Sequence, residues 1–341
     1  MGQRAKRKLR LISSVLAVLV FLSGCGQDFH KESEQDDVIS KDDSLTVVGV
    51  SQIGSESVWR TANTASIQNT FSKENGYFLI FDNARQKQEN QIKALRSFIS
   101  QQVDYIVFSP IVEDGWDTVL QEAKDAGIPV ILMDRKVKVK DESLYTAWVG
   151  SDFAEEGQNA GRWLAGHLKE EGRAGEEINI VVLQGTNGST SVIGRTEGFD
   201  SVAAQHDNWN ILEQADADFT TAKGREEMKK MLHKYEDIDV VVSQNDDMTF
   251  GALEAIGEAG QSTGTDGGII LISFDATKSA LEKVEQGIIN VDIECNPEQG
   301  AYIEEVIRVL ESGGQAEKEY FVSERVFTKK NVASVIGDRS Y

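Results

Sequence analysis

Six runs of apolar residues in this 341-residue chain each end on side chains able to make strong hydrogen bonds. Gln52, Asp82-Asn83, Asp134-Arg135, Gln184, Asn245-Asp246-Asp247 and Asp275 are those ends. A carboxylate accepts, a guanidinium donates and an amide does both, so together they suit a ligand rich in hydroxyls, each of which donates and accepts. Charged partners make such bonds shorter and roughly twice as strong as neutral ones. Trp59 and Phe219 fall in segments that follow strands, where an aromatic face can cover the C–H side of a small ring. The chemistry on offer is recognition of a polyhydroxylated molecule.

Signals for catalysis are weak by comparison. GQNAGRWLAG (157–166) and GTNGSTSVIG (185–194) hold glycines, but neither gives the GxGxxG or GxxxxGK[ST] spacing that cradles phosphates. There is no GxSxG elbow, and His30, His167, His206 and His233 share no metal-ligand spacing. Cys295 has no histidine nearby in sequence and reads as a buried, unreactive thiol. A pair of carboxylates for glycoside hydrolysis is a matter of three-dimensional separation, which the sequence does not fix. The expectation is binding without catalysis, with no cofactor and no metal.

The elements that must position these residues alternate along the chain. Strands are predicted at 44–52, 77–83, 104–110 and 128–134, nearly continuous in apolar residues, as suits a parallel sheet covered on both faces. Helices are predicted near 57–75, 88–102 and 114–126; in the second, Ile92, Leu95, Phe98 and Ile99 form an apolar stripe. The rhythm then restarts. Strands at 178–185, 238–246 and 268–275 alternate with helices near 153–171, 190–205, 221–235 and 247–259. A short strand at 290–295 precedes a helix at about 298–312, whose sheet periodicity does not assign. Two successive βα repeats argue for two doubly wound α/β lobes. Ligands of such sheets bind beyond the carboxyl ends of the strands, where the polar residues fall. Two lobes facing each other would enclose a cleft rich in carboxylates, amides and guanidiniums.

The N-terminus carries a different message. Arg4, Lys6, Arg7, Lys8 and Arg10 precede an apolar run, Leu11–Leu22, too short to span a bilayer. LSGC (22–25) follows, resembling a bacterial lipobox in which Cys25 is lipidated and becomes the new N-terminus. Residues 1–24 are therefore expected to be an export signal, and 25–43 a lipidated cysteine with an acidic tether. Removing the five basic residues of the signal takes the formal charge from -21 to -26. Such a surface repels nucleic acid and anionic lipid heads. Processing also leaves Cys295 without an intramolecular disulfide partner, so stability must come from packing.

From about Ser44 to Val322 the chain resembles the sugar-binding components of ABC importers in the type I periplasmic-binding-protein family. The resemblance rests on GVSQIGSESVWR, QKQENQIKALRSFISQQVDYIVFSP, EAKDAGIPVILMDR, LQGTNGSTSVIGRTEGF, ADFT and QNDDM, and is closer to the galactofuranose-binding branch than to the ribose-binding one. It implies two Rossmann-like lobes with parallel sheets, joined by a three-segment hinge: 45–151 with 296–324, and 152–295 with 325–337. It implies reversible capture of a monosaccharide such as galactofuranose, and delivery to ABC permease subunits by a monomer anchored outside the cell membrane. Its ligand-contacting positions fall here on Glu56, Trp59, Arg60, Asp134, Arg135, Arg195, Phe219, Asn245 and Asp275, with Asn83 a weaker match. At the third crossing the ribose pattern has a glutamine two residues before proline. Cys295 stands there in this chain, and Glu294 is the nearer polar substitute.

Three rivals share parts of this reading. A sensor would present the same clamp to a membrane receptor or histidine kinase. A DNA-binding repressor uses the same two-lobe core but is opposed by the export signal and the negative charge. An exported sugar-processing enzyme would reveal itself by turnover of a bound sugar.

Overall fold

The computed structural model describes residues 45–341. The export signal, the lipidation at Cys25 and the tether lie outside the described residues.

Two six-stranded sheets organise the chain. The first contains β1 (Thr46–Gln52), β2 (Tyr77–Asn83), β3 (Tyr105–Phe108), β4 (Val130–Met133), β5 (Ala147–Gly150) and the late strand β11 (Glu319–Phe321). Its spatial order is β2-β1-β3-β4-β5-β11, all pairs parallel. The second contains β6 (Ile178–Gln184), β7 (Trp209–Asp216), β8 (Val240–Ser243), β9 (Ile270–Asp275), β10 (Val291–Glu294) and β12 (Val326–Thr328). Its order is β7-β6-β8-β9-β10-β12, parallel except for the antiparallel edge pair β10–β12. These are the two parallel-sheet lobes of the type I periplasmic-binding-protein fold. The chain passes between the sheets three times: after β5, after β10, and between β11 and β12.

Helices cover both faces of each sheet, so the central strands are apolar throughout rather than alternating. On the first sheet, α1 (Val58–Thr70) and α9 (Gly300–Glu311) pack Ile67, Ile303 and Ile307 against Val48, Val50 and Val107. On its other face, α2 (Gln88–Ser100) and α3 (Asp117–Asp125) pack Leu95, Phe98 and Leu120 against Ile106 and Leu132. The second sheet is sandwiched in the same way. Helices α4 (Phe153–Glu170) and α5 (Thr190–Ala203) cover one face; α6 (Thr221–Lys234), α7 (Asp246–Glu258) and α8 (Lys278–Glu285) cover the other.

Several expectations change in detail. The first helix stops at Thr70, short of the expected 75, and Gly76 at φ 89° turns the chain into β2. The helix at 300–311 belongs with the first sheet, against α1. β5, β7, β11, β12 and α8 were not anticipated. β7 is an edge strand whose residues are mostly half-buried, which leaves no continuous apolar run to detect.

Candidate functional site

The two lobes meet over one polar cavity at the carboxyl ends of the strands. Its free volume is only about 30 Å³, room for about one water, so the side chains of the two lobes close tightly over it. Its lining includes Glu56, Trp59, Arg60, Asp134, Arg135, Arg195, Phe219, Asn245 and Asp275, brought together from six separate segments of sequence. Hydrogen bonds seal its rim from both sides. Glu113 N donates to Gly188 O at 3.2 Å, Lys136 N to Thr190 Oγ1 at 3.1 Å, and Val58 N to Asp247 Oδ2 at 3.1 Å.

On the first lobe, Arg60 is the organising cation. Ser57 caps α1 by accepting from Arg60 N at 3.0 Å, which starts the helix just where the side chain points back over β1. Its Nε then donates to Glu56 Oε1 at 3.0 Å, Nη2 to Asp134 Oδ2 at 2.7 Å and Nη1 to Gln52 Oε1 at 3.3 Å. Burial works against the charge, yet Asp134 and Glu56 outweigh it and hold the guanidinium firmly protonated. All three nitrogens are bonded within the protein, so Arg60 holds the two carboxylates for a ligand. Glu56 Oε2 is buried and has no partner among the described residues.

Arg135 is the opposite case. Its Nη1 donates to Ile111 O at 2.9 Å, its buried Nε has no partner among the described residues, and Asp134 Oδ2 lies 3.8 Å from Nε. Burial, then repulsion from Arg60, pushes its pKa down to about 10. An under-partnered buried cation is destabilising unless something completes its bonds. A hydroxyl-bearing ligand would do so.

The second lobe repeats the theme. Arg195 Nε donates to Glu156 Oε2 at 2.6 Å, Nη1 donates to Gln244 O, and Nη2 lies 3.6 Å from Asp275 Oδ1. Burial is again outweighed, here by Glu156, and the guanidinium stays charged. Close helix packing makes this possible: a Cβ on Gly157 would meet Arg195 O at 2.2 Å. Phe219 closes one wall beneath Arg135, 5.3 Å from ring centroid to guanidinium carbon. Its ring lies against Gly185, where a Cβ would fall 1.9 Å from the ring. Asn245 caps α7 by accepting from Met248 N at 2.9 Å and donates to Phe219 O at 3.3 Å, so one side chain both starts a helix and fixes a wall.

Three lining residues sit in left-handed backbone: Asp134 at φ 61°, Phe219 at 57° and Asp275 at 108°. Non-glycine residues there cost of order 1–3 kcal/mol each, and such strain gathers at sites where side chains must be aimed.

Two of the expected residues do not reach the cavity. Asn83 ends the edge strand β2 and bonds outside it, donating to Ser55 Oγ at 3.3 Å. Glu294 is turned away and held by Arg339 at 2.7 Å and Arg325 at 3.4 Å. Alternation at the end of β10 sends Cys295 inward instead, and its thiol lines the cavity. Burial, then Glu156, pushes that thiol up, so it is neutral and unreactive. Ser57, Phe153 and Ser191 also line the cavity and were missed. Each stands at a helix N-cap or in a first turn facing the cleft, a position the caps in the sequence could have flagged.

Behind the cavity, one carboxyl joins the three passages between the sheets. Glu324 Oε1, on the third, accepts from Ser151 Oγ on the first and from Asn296 N at 2.8 Å on the second. Burial, then the charge of Glu156, pushes its pKa up to about 9.

Comparison with known proteins agrees with this geometry. Residues 48–311 match the family model described as the periplasmic binding protein domain. The galactofuranose-binding protein YtfQ of Escherichia coli (strain K12) is 41% identical over 253 residues, covering 73% of this chain and 77% of its own. A Mycobacterium smegmatis structure in complex with β-D-fucofuranose superposes with a TM-score of 0.82 at 40% identity, covering 87% of this chain and 96% of that one. The arabinose-transporter binding protein of Shewanella sp. ANA-3, bound to α- and β-L-arabinofuranose, gives 0.80 at 39% identity, covering 86% and 96%. These relatives are binding proteins, not enzymes.

Proposed function

The chain belongs to the periplasmic binding protein domain family, and from that premise we propose that it captures a monosaccharide in its five-membered ring form and hands it to an ABC permease. The observation that carries this reading is the pairing of unpartnered buried groups in the cavity: a donor, Arg135 Nε, and an acceptor, Glu56 Oε2. A neutral molecule with several hydroxyls satisfies both at once, whereas an anion or a cation satisfies one and opposes the other.

In this reading Asp134, Arg135, Arg195, Asn245 and Asp275 bond the hydroxyls and ring oxygen, and Trp59 and Phe219 are the apolar walls. Glu56, on the segment after β1 and held there by Arg60, reads the exocyclic end of the sugar. The lobes, 45–151 with 296–324 and 152–295 with 325–337, close as a clamp about the three passages. Closure dries the polar contacts and strengthens them. Export through residues 1–24 and lipidation at Cys25 would hold the clamp at the outer face of the cell membrane, within reach of its permease.

Galactofuranose or a close furanose is the ligand favoured by the relatives. A cleft walled by aromatics and lined with aimed polar groups discriminates a five-membered ring with an extended tail from a six-membered chair by clash and by unpaired polar groups. Isothermal titration with a panel of pentoses and hexoses tests the reading. We expect dissociation constants of micromolar or tighter, on the order of -8 kcal/mol. Absence of binding below millimolar by every sugar in the panel would contradict it.

A further inference from the structure

Beneath Asp275, two carboxyl groups are buried completely and without any cation. Asp246, the first residue of α7, and Asp292, in the middle of β10, are both 0% exposed. Among the described residues no lysine, arginine or histidine forms an ion pair with either. Asp246 is saturated with donors. Its Oδ1 accepts from Ser273 Oγ at 2.5 Å, and its Oδ2 from Thr277 N and Thr277 Oγ1, both at 2.7 Å. Asp292 Oδ1 accepts from Ala276 N at 3.1 Å, while its Oδ2 has no hydrogen-bond partner among the described residues. The two carboxyls accept from consecutive backbone amides, Ala276 N and Thr277 N, which makes them neighbours.

Two adjacent carboxylates cannot both be ionised in such a place. The pattern of partners says which one is not. Asp246 needs both oxygens free of protons to accept three bonds, whereas Asp292 has one oxygen with nothing to accept. A proton on Asp292 Oδ2, donated to Asp246, satisfies every atom of the pair. Other groups facing the pair do not supply a counter-charge. β9 contributes Asp275 and the Ser273 hydroxyl; α7 contributes Asp247 and Thr249; β12 places Phe327 opposite Asp292. Arg195 on α5 reaches as far as Asp275 and no further.

The purpose of the pair follows from what it holds. Asp275 and Ala276 are both left-handed, at φ 108° and 57°, and the pair accepts from the two amides that follow, Ala276 N and Thr277 N. We propose that Asp246 and Asp292 are positioning residues sharing one proton, and that the resulting clamp holds the strained turn that aims Asp275 at the sugar. This inference rests on the reading of Asp275 as a sugar ligand. Burial, then each carboxyl's negative neighbours, raises the proton affinity of Asp292 well above the ordinary carboxylate range, which keeps the clamp intact at neutral pH.

The test is asymmetric between the two residues. In Asp292→Asn the amide oxygen keeps the Ala276 bond and the NH₂ donates to Asp246, so sugar affinity should stay within about threefold of wild type. In Asp246→Asn an NH₂ must face donors, and affinity should fall at least tenfold. Wild-type affinity should also decline at alkaline pH as the shared proton is lost, a decline that D292N removes. Equal losses in D292N and D246N, or an unchanged alkaline decline in D292N, would overturn the proposal. Urea unfolding of the ligand-free full chain across the same pH range reads the pair without any sugar. If D292N flattens part of the pH dependence there while no sugar binds the wild type, the clamp stands and the sugar reading fails. If D292N leaves that dependence unchanged, the shared proton is refuted whatever the protein binds.

Discussion

Arg135→Ala separates the cost of holding a cation from its use. Within the protein the Arg135 side chain makes one hydrogen bond, to Ile111 O, and its buried Nε has no partner among the described residues. Its charge is disfavoured first by burial and then by Arg60. Removing it therefore takes little from the fold, and ligand-free stability should be unchanged or slightly higher. The bound sugar is another matter. Two bonds from a charged donor are worth about 1.5–3 kcal/mol each before water refills the gap, so the expected loss is about 2–4 kcal/mol, roughly 30- to 1000-fold in affinity. Arg135→Lys should recover part of this at most, since an ammonium lacks the planar fork. Arg60→Ala should differ in kind: it strands Glu56 and Asp134 and should cost about 3–5 kcal/mol of stability, as breaking a buried pair does. Titration calorimetry on the sugar, with urea unfolding of each ligand-free variant, reads both quantities. An R135A protein that binds within threefold of wild type, or one that loses as much stability as R60A, would refute the reasoning.

Two further outcomes follow from the same contacts. Phe219→Leu should lose less affinity than Phe219→Ala, because it retains apolar area over Gly185; equal losses by calorimetry would argue against a wall, and lost stability with intact affinity would place Phe219 in the lobe core. Glu324 holds its proton in the folded state up to about pH 9 and releases it near the ordinary carboxylate value when unfolded. The folded state thus binds the extra proton between these values, so its contribution to stability is full at acid pH and falls as pH rises through that window. Glu324→Gln should remove this part of the pH dependence in urea unfolding, and an unchanged slope would contradict the assignment.

The sequence made much of this site legible because strand ends announce themselves. At Asp134, Asn245 and Asp275 a charged or amide residue interrupts an apolar run, and the structure sets all three around the cavity. The same signal misleads at Asn83 and Gln184. Both end strands correctly, but Asn83 lies on the edge strand β2, and Gln184 is engaged by Thr196 at 2.9 Å and Gln214 at 3.2 Å. An apolar run ending on a polar residue marks the carboxyl edge of a sheet, not the part of that edge where the lobes converge. Cys295 was passed over for Glu294 because polarity was used to choose between neighbours. Alternation along the strand makes the choice instead, and it points the thiol inward. Phe153 and Ser191 carry no such interruption; helix packing, with Gly194 against Phe153, delivers them. The buried acid pair was visible only as one more polar strand end, since the absence of a cation around Asp246 and Asp292 is a property of the assembled fold.

The central claim, a neutral furanose held between the two arginine-organised lobes, is tested most directly by a crystal structure of the full chain with D-galactose offered in solution. Galactose in water is overwhelmingly pyranose, so the protein must select the minor form, and its apparent affinity is lowered by that fraction. We expect a five-membered ring with hydroxyls on Asp134, Arg135 and Asp275, Arg135 Nε satisfied, and the ring face against Phe219. A pyranose chair stacked on Trp59, or a sugar that leaves Arg135 Nε unbonded, would contradict it.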